Sequence, residues 1–151
     1  MDHQQQELMQ VIQSFRQVSQ SLYRVFWNET SESESGLTSI QFMVLNVLKS
    51  RPNIGLAELA DACFMGSSSM SGVVDRLVKA GYVSRERLES DRRVLTLRMT
   101  EKGEEIREYT NSLWMNRVSP ILDIPKKDMD FVLSIHQRMI EKLEGKGMNT
   151  E

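Results

Sequence analysis

Between Ser67 and Gly103 the chain changes its hydrophobic period, and that change limits the folds open to it. Met70, Val73, Val74, Leu77 and Val78 recur at three- and four-residue intervals, the spacing of one buried helical face. Beyond Ala80-Gly81 the spacing shortens: Leu95, Leu97 and Met99 alternate with Val94, Thr96 and Arg98, as in a half-buried strand. Two strands, Tyr82 to Arg87 and Val94 to Met99, joined by Leu88-Glu89-Ser90-Asp91-Arg92-Arg93, form a hairpin, and Thr100 caps the start of another helix. So short a hairpin cannot build a core of its own and must lie against helices.

Upstream, Leu56, Leu59, Ala60 and Cys63 form one face of a short helix, and Phe64-Met65-Gly66 reads as a tight glycine-containing turn. Ser67 is then the expected N-cap of the following helix. Two short helices about such a turn, followed by a hairpin, make a winged helix-turn-helix. Thr38 with Gln41 fits a capping box, and the nearly all-apolar Phe42 to Leu48 belongs in the middle of the domain.

The ends of the chain are helical. Leu8, Ile12, Phe15, Val18, Leu22 and Val25 define a first helix of about seven turns, with Val11 and Phe26 widening its stripe. The polar tract Asn28 to Gly36 follows as a loop. Ile106, Tyr109, Leu113 and Trp114 mark the packing side of a third long helix that stops at Ser119-Pro120. A last helix, from about Lys127 to Leu143, carries Phe131, Val132, Ile135, Met139 and Leu143. The expected fold is mainly α with a small two- or three-stranded β-wing. It is one domain over residues 1–151, with a winged helix-turn-helix lobe at 37–100 and a helical dimerisation region at 5–30 and 104–145. So small a core cannot cover all the terminal stripes, so the first and last helices are expected to meet their counterparts in a homodimer.

The formal net charge of −2 argues against nucleic acid until its distribution is read. Residues 66–103 hold eight Lys or Arg against five acids, a local +3 that leaves −5 elsewhere. A basic face can meet phosphates while the acidic remainder keeps the body soluble. On the polar side of the second short helix lie Ser68, Ser69, Ser71, Gly72, Asp75, Arg76 and Lys79. Small hydroxyl residues at its N-terminal end, Ser67 included, let a helix seat deeply in the major groove. There its first-turn N–H groups are themselves phosphate ligands. Arg76 is placed to meet a base edge or a phosphate.

The helix end Asp75-Arg76-Leu77-Val78, then Ala80-Gly81-Tyr82-Val83 with Arg85, the wing Asp91-Arg92-Arg93 and Leu97-Arg98-Met99-Thr100-Glu101-Lys102-Gly103 resemble the signature of the MarR family of dimeric transcriptional regulators. The flanking helices extend that resemblance over nearly the whole chain. It implies that double-stranded DNA is the partner, that Asp91 pairs with a nearby arginine to shape the wing, and that Arg92 or Arg93 enters the minor groove, with Arg93 favoured. The DNA-binding set is then Ser67, Ser68, Ser69, Ser71, Arg76, Lys79, Asp91, Arg92 and Arg93. Guanidinium groups suit a narrow minor groove because negative potential concentrates there. The resemblance further implies a pseudo-palindromic operator, repression by occlusion, and a small aromatic or phenolic ligand in the crevice between the dimerisation helices and the DNA-binding lobe.

An enzyme is not expected. His3 and His136 have no suitably spaced partners for a metal motif, and the serines of Gly66 to Gly72 lack the spacing of a nucleophile elbow. Glu104-Glu105 reads as a solvated helix face, and no cofactor is implied. Cys63 reads as structural, since its neighbours are Asp61, Ala62, Phe64 and Met65 and a helix C-terminus disfavours a thiolate. Members of the resembled family that sense oxidants carry their cysteine in the first helix, where this chain has none. The ten methionines read as core filling. Apolar runs fall short of the roughly 18 residues that span a bilayer, and the N-terminus lacks a signal-peptide pattern, so a cytoplasmic protein is expected. The rival reading keeps the winged helix but docks protein, for which exposed apolar groups on the wing would be the sign.

Overall fold

The computed structural model describes residues 2–27, 35–87 and 95–145. Two compact units divide between Arg117 and Val118. In the first, α1 (His3–Trp27), α2 (Ser39–Ser50), α3 (Leu56–Ala62) and α4 (Ser67–Lys79) precede strands β1 (Val83–Arg87) and β2 (Leu95–Met99), after which α5 (Glu101–Val118) begins. The second holds a 3₁₀ turn at Ser119–Asp123 and α6 (Lys126–Glu144). The architecture is the expected mainly α fold with a small β-wing.

The core of the first unit is built from one face of each short helix. Val44, Leu45 and Leu48 of α2 meet Leu59 and Ala60 of α3, and Met70, Val73, Val74 and Leu77 of α4, with Leu37, Ile54, Val83 and Leu97 closing the cluster. Fully burying a side chain such as Leu or Met contributes about 2 kcal/mol, so this cluster holds the lobe together. The Thr38 capping box forms as expected: the Gln41 N–H donates to Thr38 Oγ1 at 3.4 Å and the Thr38 N–H to Gln41 Oε1 at 2.9 Å. Met43, inside the run read as apolar nearly all round, is instead exposed.

The same cap closes α3 and α4. After α3, the N–H of Phe64 donates to the Asp61 carbonyl at 3.1 Å and that of Met65 to Ala60 at 2.9 Å. After α4, Gly81 donates to Val78 and Tyr82 to Leu77, each at 2.9 Å. This pair of bonds requires a left-handed residue, normally glycine, just past the helix. Gly81 fills that position at φ 79°, but on α3 it is Phe64 that does so, at φ 53°. The glycine of the turn, Gly66, has an ordinary φ of −71° and is the N-cap of α4. Ser67 is therefore not the cap that the sequence pattern predicts; it is the first helical residue. The left-handed step falls earlier because α3 stops at Ala62 and its last carbonyls must be satisfied there. It costs a residue with a β-carbon about 1 kcal/mol.

β1 and β2 pair antiparallel, with Val83 opposite Met99, Arg85 opposite Leu97 and Arg87 opposite Leu95. Ile54 adds a single antiparallel bridge, its carbonyl accepting the Leu97 N–H at 2.9 Å. Leu97 is buried as expected, but Leu95 is 49% exposed and Thr96 only 3%. Leu95 lies at the far end of the ladder, beyond the helices that cover Leu97. The Thr96 hydroxyl donates to the Glu86 carbonyl across the pair at 3.3 Å, so it is buried without an unsatisfied oxygen.

α5 packs in part through its expected side: Ile106 rests against the core, and Leu113 and Trp114 are half-buried. Gly103 and Thr110 are its buried residues, whereas Tyr109 is half exposed. Gly103 lies so close to the turn after α4 that a β-carbon there would stand 2.1 Å from the Tyr82 carbonyl oxygen. Leu8, Val11, Ile12, Val18 and Val25 of α1 are exposed, as are Phe131, Val132, Ile140 and Leu143 of α6. Among the described residues, no helix is long and apolar enough to cross a membrane.

Candidate nucleic-acid interface

One side of α4 is sealed into the core and the other is offered to solvent. Met70, Val73, Val74 and Leu77 are buried, while Ser67, Ser68, Ser69, Gly72, Asp75, Arg76 and Lys79 are exposed and Ser71 is half-buried. Because Gly66 caps the helix, no side chain among the described residues occupies the N–H groups of the first turn. Those donors, the positive end of the helix dipole and the serine hydroxyls all face the same approach. Here a cap without a side chain leaves the serines and the first-turn amides available to an incoming acceptor.

The basic residues of the segment divide into two groups. Several are engaged within the fold. Arg85 on β1 pairs with Asp75 on α4, and Arg98 lies 3.8 Å from Glu86. Lys102 donates to the Ala80 carbonyl at 2.9 Å and sits 5.1 Å from the centre of the Tyr82 ring. Arg76 and Lys79 form the second group; both are exposed and enter no ion pair among the described residues. Among the described residues the surplus charge is thus less freely available than its count implies, and α4 carries two exposed cations outside any ion pair. Asp91, Arg92 and Arg93 lie outside the described residues.

The wing base is fastened to α4 and α5 together. Thr100 Oγ1 donates to the Gly81 carbonyl at 2.6 Å and accepts the Gly103 N–H at 3.0 Å, while the Thr100 N–H donates to the Tyr82 carbonyl at 3.0 Å. Farther along α5, Glu104 is not the solvated carboxylate that the sequence pattern predicts. It is half-buried, bound through both oxygens by Arg107 at 2.9 and 3.2 Å and by Lys49 of α2 at 2.5 Å. The hydrogen bonds from Arg107 and then Lys49 hold its carboxyl down at about 2. At the other end of α5, Arg117 donates to the Val25 carbonyl of α1 at 3.3 Å. A single helix therefore runs from the wing base past α2 to the end of α1.

Cys63 is buried at the end of α3, and desolvation pushes its thiol above the usual range, consistent with a structural role. Sequence reasoning missed the Asp75–Arg85 pair, the Lys49–Glu104–Arg107 cluster and the exposed Phe64. Asp75–Arg85 and Lys49–Glu104 join different elements, so periodicity carries no trace of them, whereas Glu104–Arg107 is an i,i+3 pair within α5 that helical spacing could have found. Phe64 was legible only as a large residue inside a turn.

The family model of the MarR family matches residues 35–94. Among curated proteins, the chain is 29% identical over 80 residues to the HTH-type transcriptional regulator SarZ of Staphylococcus epidermidis, covering 53% of this chain and 54% of that one. It is 36% identical over 72 residues to the transcriptional repressor MprA of Escherichia coli, covering 46% and 41%. The chain thus spans about half the length of these relatives. In three dimensions it is similar to the repressor CouR bound to a DNA duplex, at TM-score 0.70 and 23% identity over 84% of this chain and 89% of that one. It is also similar to PcaV of Streptomyces coelicolor in complex with its natural ligand, at TM-score 0.62 and 25% identity over 83% and 88%.

Proposed function

The chain belongs to the MarR family, and we propose that it is a sequence-specific DNA-binding transcriptional regulator that acts in the cytoplasm as a homodimer. The observation that carries this reading is the open N-terminus of α4, with its exposed serines in line with Arg76 and Lys79 on a helix whose other face is core. Ser67, Ser68, Ser69 and Ser71 meet base edges or phosphates, Arg76 a base edge or phosphate, and Lys79 the backbone. Asp91 shapes the wing, from which Arg93, or its neighbour Arg92, enters the minor groove.

The winged lobe at 37–100 supplies the reading surface, and the apolar stripes of α1 and α6 are covered by a second copy. Two α4 helices related by a twofold axis enter successive major grooves about one helical turn apart, so the operator is a pseudo-palindrome. Because α5 is fixed at the wing base through Gly103 and at α1 through Arg117, a change in helix packing alters the spacing of the two reading helices. A small aromatic or phenolic ligand that binds better to the wrong spacing releases DNA by that difference in affinity. Repression follows from occlusion of a promoter.

Selection of bound duplexes from a random pool tests this directly. The expected result is a pseudo-palindrome with half-sites one turn apart; no enrichment at any salt concentration overturns the reading. On the selected duplex, Arg76→Ala is expected to cost about 1–3 kcal/mol and relax sequence preference. Arg93→Ala should weaken binding and flatten the salt dependence by about one unit, since one cation held close to the phosphates in the minor groove is lost. Titrations at several salt concentrations separate the two. The rival, a winged helix that docks protein, is favoured by the exposed Leu95 on β2; it requires duplex binding to be weak and without sequence preference.

A further inference from the structure

Phe64 is 96% exposed at the turn between α3 and α4, the most exposed large apolar side chain of the described residues, and it holds a left-handed backbone. Each property alone is unfavourable. The exposed ring gains nothing from the core, and the backbone conformation is one that glycine adopts without cost. The fold itself contains the control: the same pair of closing bonds ends α4, where the residue in the left-handed position is Gly81. The cap works with glycine in this lobe, so neither packing nor turn geometry accounts for an aromatic ring at Phe64.

Its position supplies the account. Phe64 stands two residues before the N-cap of α4, at the mouth of the helix that carries Ser67, Ser68 and Ser69. When such a helix enters the major groove by its N-terminal end, the preceding helix crosses the sugar-phosphate backbone and the turn between them lies against the groove edge. That edge offers apolar atoms, the deoxyribose carbons and the thymine methyl group. We infer that Phe64 is a DNA-contacting residue, its ring packing on these apolar atoms beside the first turn of α4. The inference rests on α4 being the recognition helix. It adds to an interface of hydroxyls and cations a contact that releases no counterion and is insensitive to salt.

The test uses the full chain and the duplex selected as above. Phe64→Gly removes the ring and the backbone strain but gives the unfolded chain more freedom, and the two effects nearly offset, so the melting temperature is expected to move by less than about 3 °C. Affinity is expected to fall roughly tenfold at every salt concentration with the slope of log K against log salt unchanged. Phe64→Leu, which keeps an apolar side chain, should retain most of the binding. Repeating the titration with uracil in place of thymine assigns the contact: a loss in the parent but not in Phe64→Gly places the ring on the methyl group, and no loss places it on the sugar. Equal affinity of parent and Phe64→Gly overturns the inference while leaving the regulator reading intact. A fall in melting temperature of about 10 °C also overturns it, because the ring would then be serving the fold. A parent chain that binds no duplex removes the regulator reading and this inference together.

Discussion

Gly103→Ala is expected to lower the melting temperature by about 10 °C, the largest effect of an added methyl group at any of the described glycines. The new β-carbon would stand 2.1 Å from the Tyr82 carbonyl oxygen and 2.9 Å from Met99 Cγ. Met99 can turn aside, but the carbonyl is backbone and already accepts the Thr100 N–H. Relief therefore demands that α5 move off the turn after α4, breaking that bond and loosening the Thr100 hydroxyl from Gly81. Overpacking of this kind costs up to about 3 kcal/mol, with about 1 kcal/mol more for a lost hydrogen bond. Calorimetry checks it, with Gly72→Ala as the matched control. Gly72 lies within α4 and a β-carbon there meets nothing within 4 Å, so that substitution should stabilise the chain by up to about 1 kcal/mol.

Acid should unfold the parent chain more readily than Glu104→Gln would predict, through the Lys49–Glu104–Arg107 cluster. The folded chain holds the Glu104 carboxyl at about 2, against an ordinary 4.5. A depressed carboxyl contributes its full stability above the unfolded value and loses it as pH falls from about 4.5 toward about 2. The gap corresponds to at most about 3 kcal/mol, less after screening of the partly exposed side chains by water. Denaturant titrations of parent and Glu104→Gln should differ most near neutral pH and converge near pH 2. A constant difference across that range would show that the carboxylate charge is irrelevant to the cluster.

What could be read from the sequence follows the range of the interactions. Met70, Val73, Val74 and Leu77 were legible because a helix repeats its face every three or four residues, and the Thr38–Gln41 box because both bonds are local. The cap of α4 was misread by one residue, since a serine run beside a glycine offers two plausible caps and only the end of α3 decides between them. Leu95 and Thr96 exchanged their expected burial because alternation says which residues share a face, not how far the helices extend over it. Glu104 looked like a solvated charge because Lys49 reaches it from α2, while its i,i+3 partner Arg107 was open to reading from helical spacing. Gly103 could be identified from the sequence only as part of a motif; the reason for a glycine there is the Tyr82 carbonyl, twenty-one positions earlier in the chain.

The division of α4 into a sealed face and an open one also bears on how such a chain can change over generations. Core residues and solvent-facing residues share thirteen consecutive positions, but substitutions at exposed sites such as Ser68, Ser69 or Lys79 shift stability by only about 0.5 kcal/mol. A lineage can therefore vary the vocabulary of this helix without risking its fold. Asp75 is the exception, since it is exposed but tied to Arg85 on β1. Mutations there would disturb helix and strand together, so on the proposed reading drift toward new operator sequences should pass through the serines first and reach Asp75 late.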